Sequence, residues 1–326
     1  MPLVGIEAIR AAAGRLRGVA IRTPLVPFSA GPPQVLLKAE SLQPIGAFKI
    51  RGAYNAIAQL TPAELRRGVV AHSSGNHAQG LARAARLLGT HAVVVMPSDA
   101  PAVKRARVEA DGAEIVTVDP ESGAREAMAT RLAEERGLVP IPPYDDDRII
   151  AGQGTCGLEI AEDVDDLALV LVPIGGGGLA SGVAAAVKAI RPRARVIGVE
   201  SELAADAAES LREGRIVRWD GALTSRTIAD GTRTQAIGQR PFDHLSRLLD
   251  GIVTVTEAEI AAGVRLAAEE SRLVVEPSGA LPIAAARFHA AELGLAGLAG
   301  TVVAIVSGGN VDPARYRELL ASPVPG

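Results

Sequence analysis

Three glycine-rich turns and one lysine carry the chemistry this sequence offers. The turns are Ser73-Ser74-Gly75-Asn76-His77, Gly175-Gly176-Gly177-Gly178 and Ser307-Gly308-Gly309-Asn310, each behind an apolar run. In open α/β sheets ligands bind at the carboxyl ends of strands, where such turns lie. The four glycines follow Leu167 to Ile174 and precede a helical stretch from Leu179 to Ile190. Their amides, with no Cβ in the way, can converge on a phosphate at the positive helix end. The same residues also fit a dinucleotide fingerprint. Gly175, Gly177 and Ala180 match G-x-G-x-x-A, and Glu200 ends the next strand about 20 residues on. That second reading leaves the other two turns, and the lysine, unexplained. Pro44 and Gly46 break structure before Phe48, so Phe48 onward reads as a new helix with Lys49 in its first turn. A cation there sits against the positive helix end, which lowers the pKa of the amine. Imine chemistry asks this of a lysine that must act as nucleophile and base near neutral pH. By residue type alone, Lys49 would be one more solvated surface cation.

The elements that must position these residues follow from the apolar pattern. Candidate strands are Val69 to His72, Ala92 to Met96, Glu114 to Val118, Ala168 to Ile174, Val196 to Val199 and Thr301 to Val306. Apolar almost throughout rather than alternating, they read as central strands buried on both faces. Helical periodicity is clear in Gln79 to Leu88, Gly178 to Ile190 and Ile260 to Ser271. Strands alternating with helices predict an α/β fold, a parallel sheet covered on both faces. At 326 residues the chain has the length of about two domains. A boundary near residue 143 is expected, with 53–143 a smaller domain inserted into a larger one made of 1–52 and 144–326.

Composition narrows the function class. Thirty-four basic against 37 acidic residues leave a formal net charge of -3, and there are one Trp, three Tyr and four Phe. No nucleic-acid partner is expected from that balance and that aromatic supply. Cys156 is the single cysteine, so no intrachain disulfide is possible and a cytoplasmic location is expected. No apolar stretch approaches the roughly 20 residues of a membrane span, so no membrane association is expected.

Taken together, Ser41 to Ala53, Ser73 to His77, Gly175 to Leu179 and Ser307 to Asn310 resemble, in order and spacing, the motifs of fold type II pyridoxal-phosphate enzymes. The nearest resemblance is to the serine/threonine dehydratase and serine racemase family. It runs from Thr23-Pro24-Leu25 through Pro143-Tyr144-Asp145-Asp146, Ala151-Gly152-Gln153-Gly154-Thr155 and Thr227-Ile228-Ala229-Asp230-Gly231 to Glu276-Pro277-Ser278-Gly279. The resemblance implies two open, twisted, mostly parallel sheets covered by helices, as in tryptophan synthase β. It implies pyridoxal 5′-phosphate joined to Lys49, with Phe48 beside the ring and Asn76 at its O3′. The amides of Gly175, Gly176, Gly177, Gly178 and Leu179 would bind the phosphate, and Ser307 would face the ring nitrogen. Ser73, Ser74, Gly75 and His77 would bind the substrate carboxylate, and Ser74 would stand opposite Lys49, able to return a proton from the other side.

Two further groups follow from the same resemblance. Glu200 and Asp206, six positions apart with the Ala204 carbonyl between them, supply hard oxygen ligands suited to Mg²⁺, Ca²⁺ or Mn²⁺. They match the activating metal site of the racemase-like branch; a solvated acidic loop is the plainer alternative. Arg125 aligns loosely with an arginine that reaches bound dicarboxylates, the plainer alternative being a surface helix cation. The five histidines show no zinc-ligand spacing. The expected activity is dehydration of a small β-hydroxy amino acid, L-threonine or L-serine, to a 2-oxo acid and ammonia, in a homodimer. Serine racemase and 3-hydroxyaspartate dehydratase are the alternatives within the family. A nicotinamide dehydrogenase is the alternative outside it.

Overall fold

Runs that are apolar at every position are satisfied only between two covering layers, and the sheets of this protein are built from such runs. The computed structural model describes residues 1–29, 33–73, 75–98, 100, 102–119 and 123–325. Ten strands form two sheets: β1 (Leu25–Ser29), β2 (Val35–Ala39), β3 (Val69–His72), β4 (Ala92–Pro97), β5 (Glu114–Val118), β6 (Val139–Pro140), β7 (Leu167–Pro173), β8 (Arg195–Ser201), β9 (Gly251–Val255) and β10 (Thr301–Val306). The larger sheet has the order β1-β2-β10-β7-β8-β9 and the smaller β5-β4-β3-β6. Every pairing is parallel except β1 with β2. The fold is α/β, as expected.

Each sheet has a core on both faces. In the larger sheet, Leu171, Val199 and Ala304 pack toward the helices Glu257–Ser271 and Pro277–Phe288, while Val170, Val172 and Ile305 pack toward the helix Gly178–Ile190. In the smaller sheet, Val94 and Val95 belong to cores on opposite faces. One expectation fails here. Glu114 to Val118 is an edge strand whose residues are partly buried or exposed, not a central strand covered twice. Its apolar Ile115, Val116 and Val118 lie at the margins of the two small-sheet cores. Among the described residues no helix is long and apolar enough to cross a membrane.

The helix Lys49–Ile57 is anchored by charges that the apolar pattern hides. Lys38, Glu40 and Arg51 are all within 1% of complete burial. Arg51 binds Glu40 at 2.7 Å and Glu159 at 2.7 Å, and Lys38 binds Glu159 at 2.6 Å. Burial alone would raise the Glu40 carboxyl, but the Arg51 and Lys38 charges outweigh it and hold it below the ordinary range. A fully paired cluster of this kind is costly to break, because the remaining partner is a buried unpaired charge. It fixes the helix two residues beyond Lys49.

Candidate active site

Parallel pairing sends the carboxyl ends of β2, β10 and β7 to one edge of the larger sheet, so the chain segments that follow them meet there. These segments are the run to Lys49, the Ser307 turn and the glycine loop. The Phe48 amide donates to the Ser307 carbonyl at 3.0 Å, and Ala47 bridges to Gly308. The turn after β3 reaches the same place, because Gly80 packs against the Lys49 carbonyl so closely that a Cβ would lie 3.1 Å from it. Three segments from distant parts of the sequence and one from the smaller sheet therefore surround one amine.

That amine is Lys49 Nζ, which donates to the Pro143 carbonyl at 2.8 Å and lies 5.2 Å from the Phe48 ring centroid. The residue is partly exposed as a whole, yet its ammonium group is so enclosed that burial draws the pKa from 10.5 to about 8. About one-tenth of it is therefore uncharged at pH 7, against well under a thousandth for an ordinary lysine. Among the described residues no carboxylate forms an ion pair with it.

The glycine loop supplies donors with nothing to bind. Among the described residues, none of the amide N–H groups from Gly175 to Leu179 donates a hydrogen bond. Gly176, Gly177, Gly178 and Leu179 are buried. Buried backbone donors are almost always paired, so a run of five unpaired ones, four of them in buried residues, at a helix N-terminus describes an anion cradle. The glycines are required by packing. A Cβ on Gly176 would run into the Tyr144 ring, one on Gly177 (φ +89°) would lie 2.6 Å from Pro241, and one on Gly178 would lie 3.0 Å from Tyr144. Tyr144 therefore lies against the loop. Burial, then the charges of Asp206 and Asp145, push its phenol up to about 12, so it stays protonated. The Leu179 side chain points into the core.

In the turn after β3, Gly75 is the N-cap of the helix Asn76–Leu87, and its amide donates to Ser73 Oγ at 3.2 Å. Ser74 lies outside the described residues. Asn76 Nδ2 donates to Glu276 Oε1 at 2.6 Å, and Asn76 Oδ1 accepts from Asn310 Nδ2 at 2.8 Å. Burial, then Asp230, push the Glu276 carboxyl up to about 7. His77 turns away from the turn's amides, its Nε2 meeting the Ile141 carbonyl at 2.9 Å. Burial, then the Lys49 charge, bring its pKa down to about 3, so it is neutral. The Ser307 hydroxyl makes no hydrogen bond among the described residues, although the residue is only 4% exposed.

Glu200 and Asp206 are brought together at the end of β8, both fully buried by area. Glu200 accepts from the amides of Ala207 at 3.1 Å and Ala208 at 2.7 Å. Neither Asp206 carboxylate oxygen has a hydrogen-bond partner of good geometry among the described residues. Burial, then Asp206, push Glu200 well above the carboxylate range, and burial pushes Asp206 up to about 7. Two adjoining buried acids that form no ion pair among the described residues fit a hard cation. No group of three or more His, Cys, Asp or Glu side chains placed to hold a metal exists among the described residues, so other ligands would be carbonyls and water. Arg125, in the helix Ala124–Arg136, is partly buried and makes no hydrogen bond or ion pair among the described residues. Its charge is felt at His72, on the β3 end of the site.

Residues 16–308 match the family model described as "Pyridoxal-phosphate dependent enzyme". The chain belongs to that family. This pyridoxal-phosphate enzyme is 42% identical over 288 residues to the L-threo-3-hydroxyaspartate ammonia-lyase of Saccharomyces cerevisiae, covering 88% of this chain and 86% of that protein. It is 40% identical to the serine racemase of Schizosaccharomyces pombe, covering 97% of each. Among solved structures, the processed form of threonine deaminase isoform 2 from Solanum lycopersicum superposes with a TM-score of 0.89 at 35% identity, covering 99% of this chain and 96% of that one. The fold type II architecture and the dehydratase and racemase family are thereby established, and with them pyridoxal phosphate as the cofactor.

The residues present fit that cofactor. Its phosphate needs an anion cradle, and five unpaired amides form one. Its aldehyde needs an amine that is partly neutral, which Lys49 is. A dinucleotide would leave that buried amine without a purpose. Sequence reasoning passed over Glu276 as a polar site residue and Tyr144 as a wall of the loop. The signal available for both was their place in the runs Glu276-Pro277-Ser278-Gly279 and Pro143-Tyr144-Asp145-Asp146, which the resemblance already contained.

Proposed function

We propose that this enzyme is an ammonia-lyase that converts a small β-hydroxy amino acid, L-threonine or L-serine, to the corresponding 2-oxo acid and ammonia. The observation that carries the reading is the enclosed Lys49 amine with a pKa of about 8, next to a cradle of unpaired amides. When bound, pyridoxal phosphate supplies an electron sink for the charge left at the substrate's Cα. The residues of this chain do the rest. The amides of Gly175, Gly176, Gly177, Gly178 and Leu179 hold the phosphate, Phe48 packs beside the ring, and Asn76 donates to its O3′. Lys49 would hold the aldehyde carbon, and its amine, when free, would take the proton from the substrate's Cα. Its depressed pKa leaves the amine uncharged in a large enough fraction to act as that base. The Ser307 hydroxyl would face the ring nitrogen and, being neutral, would not hold a proton there as a carboxylate would. Ser73 and Gly75, with Ser74, bind the substrate carboxylate at the helix N-terminus. The neutral His77 supports the turn from behind.

Glu200, the Ala204 carbonyl and Asp206 hold Mg²⁺, Ca²⁺ or Mn²⁺ in this reading, supported by the unpartnered Asp206 carboxylate. The cation is activating rather than catalytic, since these ligands belong to the end of β8 and not to the Lys49 cluster. A homodimer completes the proposal. A second substrate reading, 3-hydroxyaspartate, is favoured by one observation: Arg125 has no partner among the described residues, and its charge is felt at the site's β3 end. Racemisation through Ser74 is the third. The test is 2-oxo acid formation from L-threonine, L-serine and 3-hydroxyaspartate, with chiral analysis of remaining substrate. Turnover of threonine or serine that Arg125→Ala leaves intact supports the first reading. A preference for hydroxyaspartate that Arg125→Ala removes supports the second.

A further inference from the structure

Asn76 has four hydrogen-bonding positions on its amide, two donors and two acceptor lone pairs, and the surrounding residues take one of each. Asn310 fixes the arrangement. Its Nδ2 donates to the Ile45 carbonyl at 2.8 Å and to Asn76 Oδ1 at 2.8 Å, while its Oδ1 accepts from the Arg107 guanidinium. A backbone carbonyl only accepts and a guanidinium only donates, so the Asn310 amide cannot be reversed without losing both. It therefore presents N–H to Asn76 and commits the Asn76 amide oxygen. On the other side, Asn76 Nδ2 donates to Glu276 Oε1 at 2.6 Å. The backbone of Asn310 also stabilises the Glu276 carboxylate, and the Glu276 amide donates to the Gly308 carbonyl at 3.1 Å. The three residues form a closed ring. Asn76 is left with one N–H that has no partner among the described residues, on a side chain that is partly exposed.

We propose that Asn310 and Glu276 are positioning residues that lock the Asn76 amide in the one orientation with a free N–H for the cofactor's O3′. The proposal rests on the assignment of Asn76 to O3′ given above. Arg107 and Asn310 come from different sheets' surroundings, the helix Ala102–Ala110 and the turn after β10. The ion pair Lys104 to Asp230 at 2.6 Å runs alongside. The lock therefore closes only when the helix Ala102–Ala110 is seated against that turn. Without it, the Asn76 amide can rotate by half a turn and set its oxygen against the anionic O3′.

The test is titration of cofactor-free protein with pyridoxal phosphate, reading the dissociation constant and the position of the bound cofactor's absorbance band. Asn310→Ala and Asn310→Asp are each expected to weaken binding about tenfold, the worth of one hydrogen bond to a charged group, and to shift the band. Asn310→Asp keeps the Arg107 partner but offers Asn76 only acceptors, so it serves if Asn310→Ala fails to fold. Glu276→Leu is expected to behave likewise, with Glu276→Gln, which keeps an acceptor, restoring most of the affinity. Combining Asn310→Ala with Asn76→Ala is expected to bind no more weakly than Asn76→Ala alone. Wild-type affinity and an unmoved band in the Asn310 variants, or additive losses in the combined variant, overturn the lock while leaving Asn76 at O3′. A silent Asn76→Ala overturns the assignment of Asn76, and the lock with it.

Discussion

Replacing Lys49 with methionine removes a charge that no carboxylate among the described residues compensates, so the cofactor-free protein should become more stable. The fall of the amine from 10.5 to about 8 corresponds to about 3 kcal/mol at 1.36 kcal/mol per pH unit. Solvent at the partly exposed side chain reduces that to about 2 kcal/mol. The lost hydrogen bond to the Pro143 carbonyl takes back about 1 kcal/mol. A net gain of about 1 kcal/mol at pH 7 raises the melting temperature by about 1–2 °C for a chain of this length. The pH dependence is the sharper test. Below pH 8 folded and unfolded chains both carry the proton, so the cost of the buried charge is present in full. Between pH 8 and 10.5 the unfolded chain binds more protons than the folded one, and wild-type stability rises with pH. The advantage of Lys49→Met should shrink through that window and turn above it into a deficit of about 1 kcal/mol, the hydrogen bond to the Pro143 carbonyl that the variant lacks. Thermal melts of both cofactor-free proteins from pH 6.5 to 10.5 measure it. A variant less stable at pH 7, or one whose advantage does not change with pH, would refute the claim that the amine is held against burial.

Three further outcomes follow from the geometry. Arg51→Met should destabilise the protein by about 3–5 kcal/mol, because Glu40 is left buried and unpaired, and urea unfolding should show this together with weaker cofactor binding. Gly176→Ala should abolish cofactor binding because its Cβ runs into the Tyr144 ring; adding Tyr144→Ala should restore part of it, measured by cofactor titration. Millimolar Mg²⁺ should raise the melting temperature and change the fluorescence of Trp219, the single tryptophan, whose Nε1 bonds Glu209 on the same helix as Asp206. Asp206→Asn should lose both responses while retaining the cofactor's absorbance band.

Much of the fold was legible because its interior strands are apolar at every position. Val69 to His72 and Thr301 to Val306 have the predicted ends, as does the helix Gly178 to Ile190. Glu114 to Val118 shows the limit of that signal. An apolar run tells of burial somewhere, not of how many neighbours the strand has, and this one ends its sheet. The hairpin of β1 with β2 and the strand β9 went unread, Pro27 and a buried Lys38 breaking the pattern in the first case. In the site, local turn chemistry announced the glycine loop; the lowered pKa of Lys49 was expected from its helix end, whereas burial is what lowers it. What the sequence could not reveal is pairing across long separations. Glu276 is 200 positions from Asn76, and Asn310 is 234. Neither periodicity nor turn propensity carries that information. Arg51 and Glu40 likewise carry no local mark of the burial that the fold imposes on them together.

The central claim is that Lys49 is the residue joined to the cofactor's aldehyde. Reduction of the loaded enzyme with borohydride, followed by proteolysis and mass spectrometry, tests it directly. The expected result is a phosphopyridoxyl group on the peptide containing Lys49, with turnover lost in proportion to its formation. Modification of another lysine, with an unmodified Lys49 in inactivated protein, would contradict it.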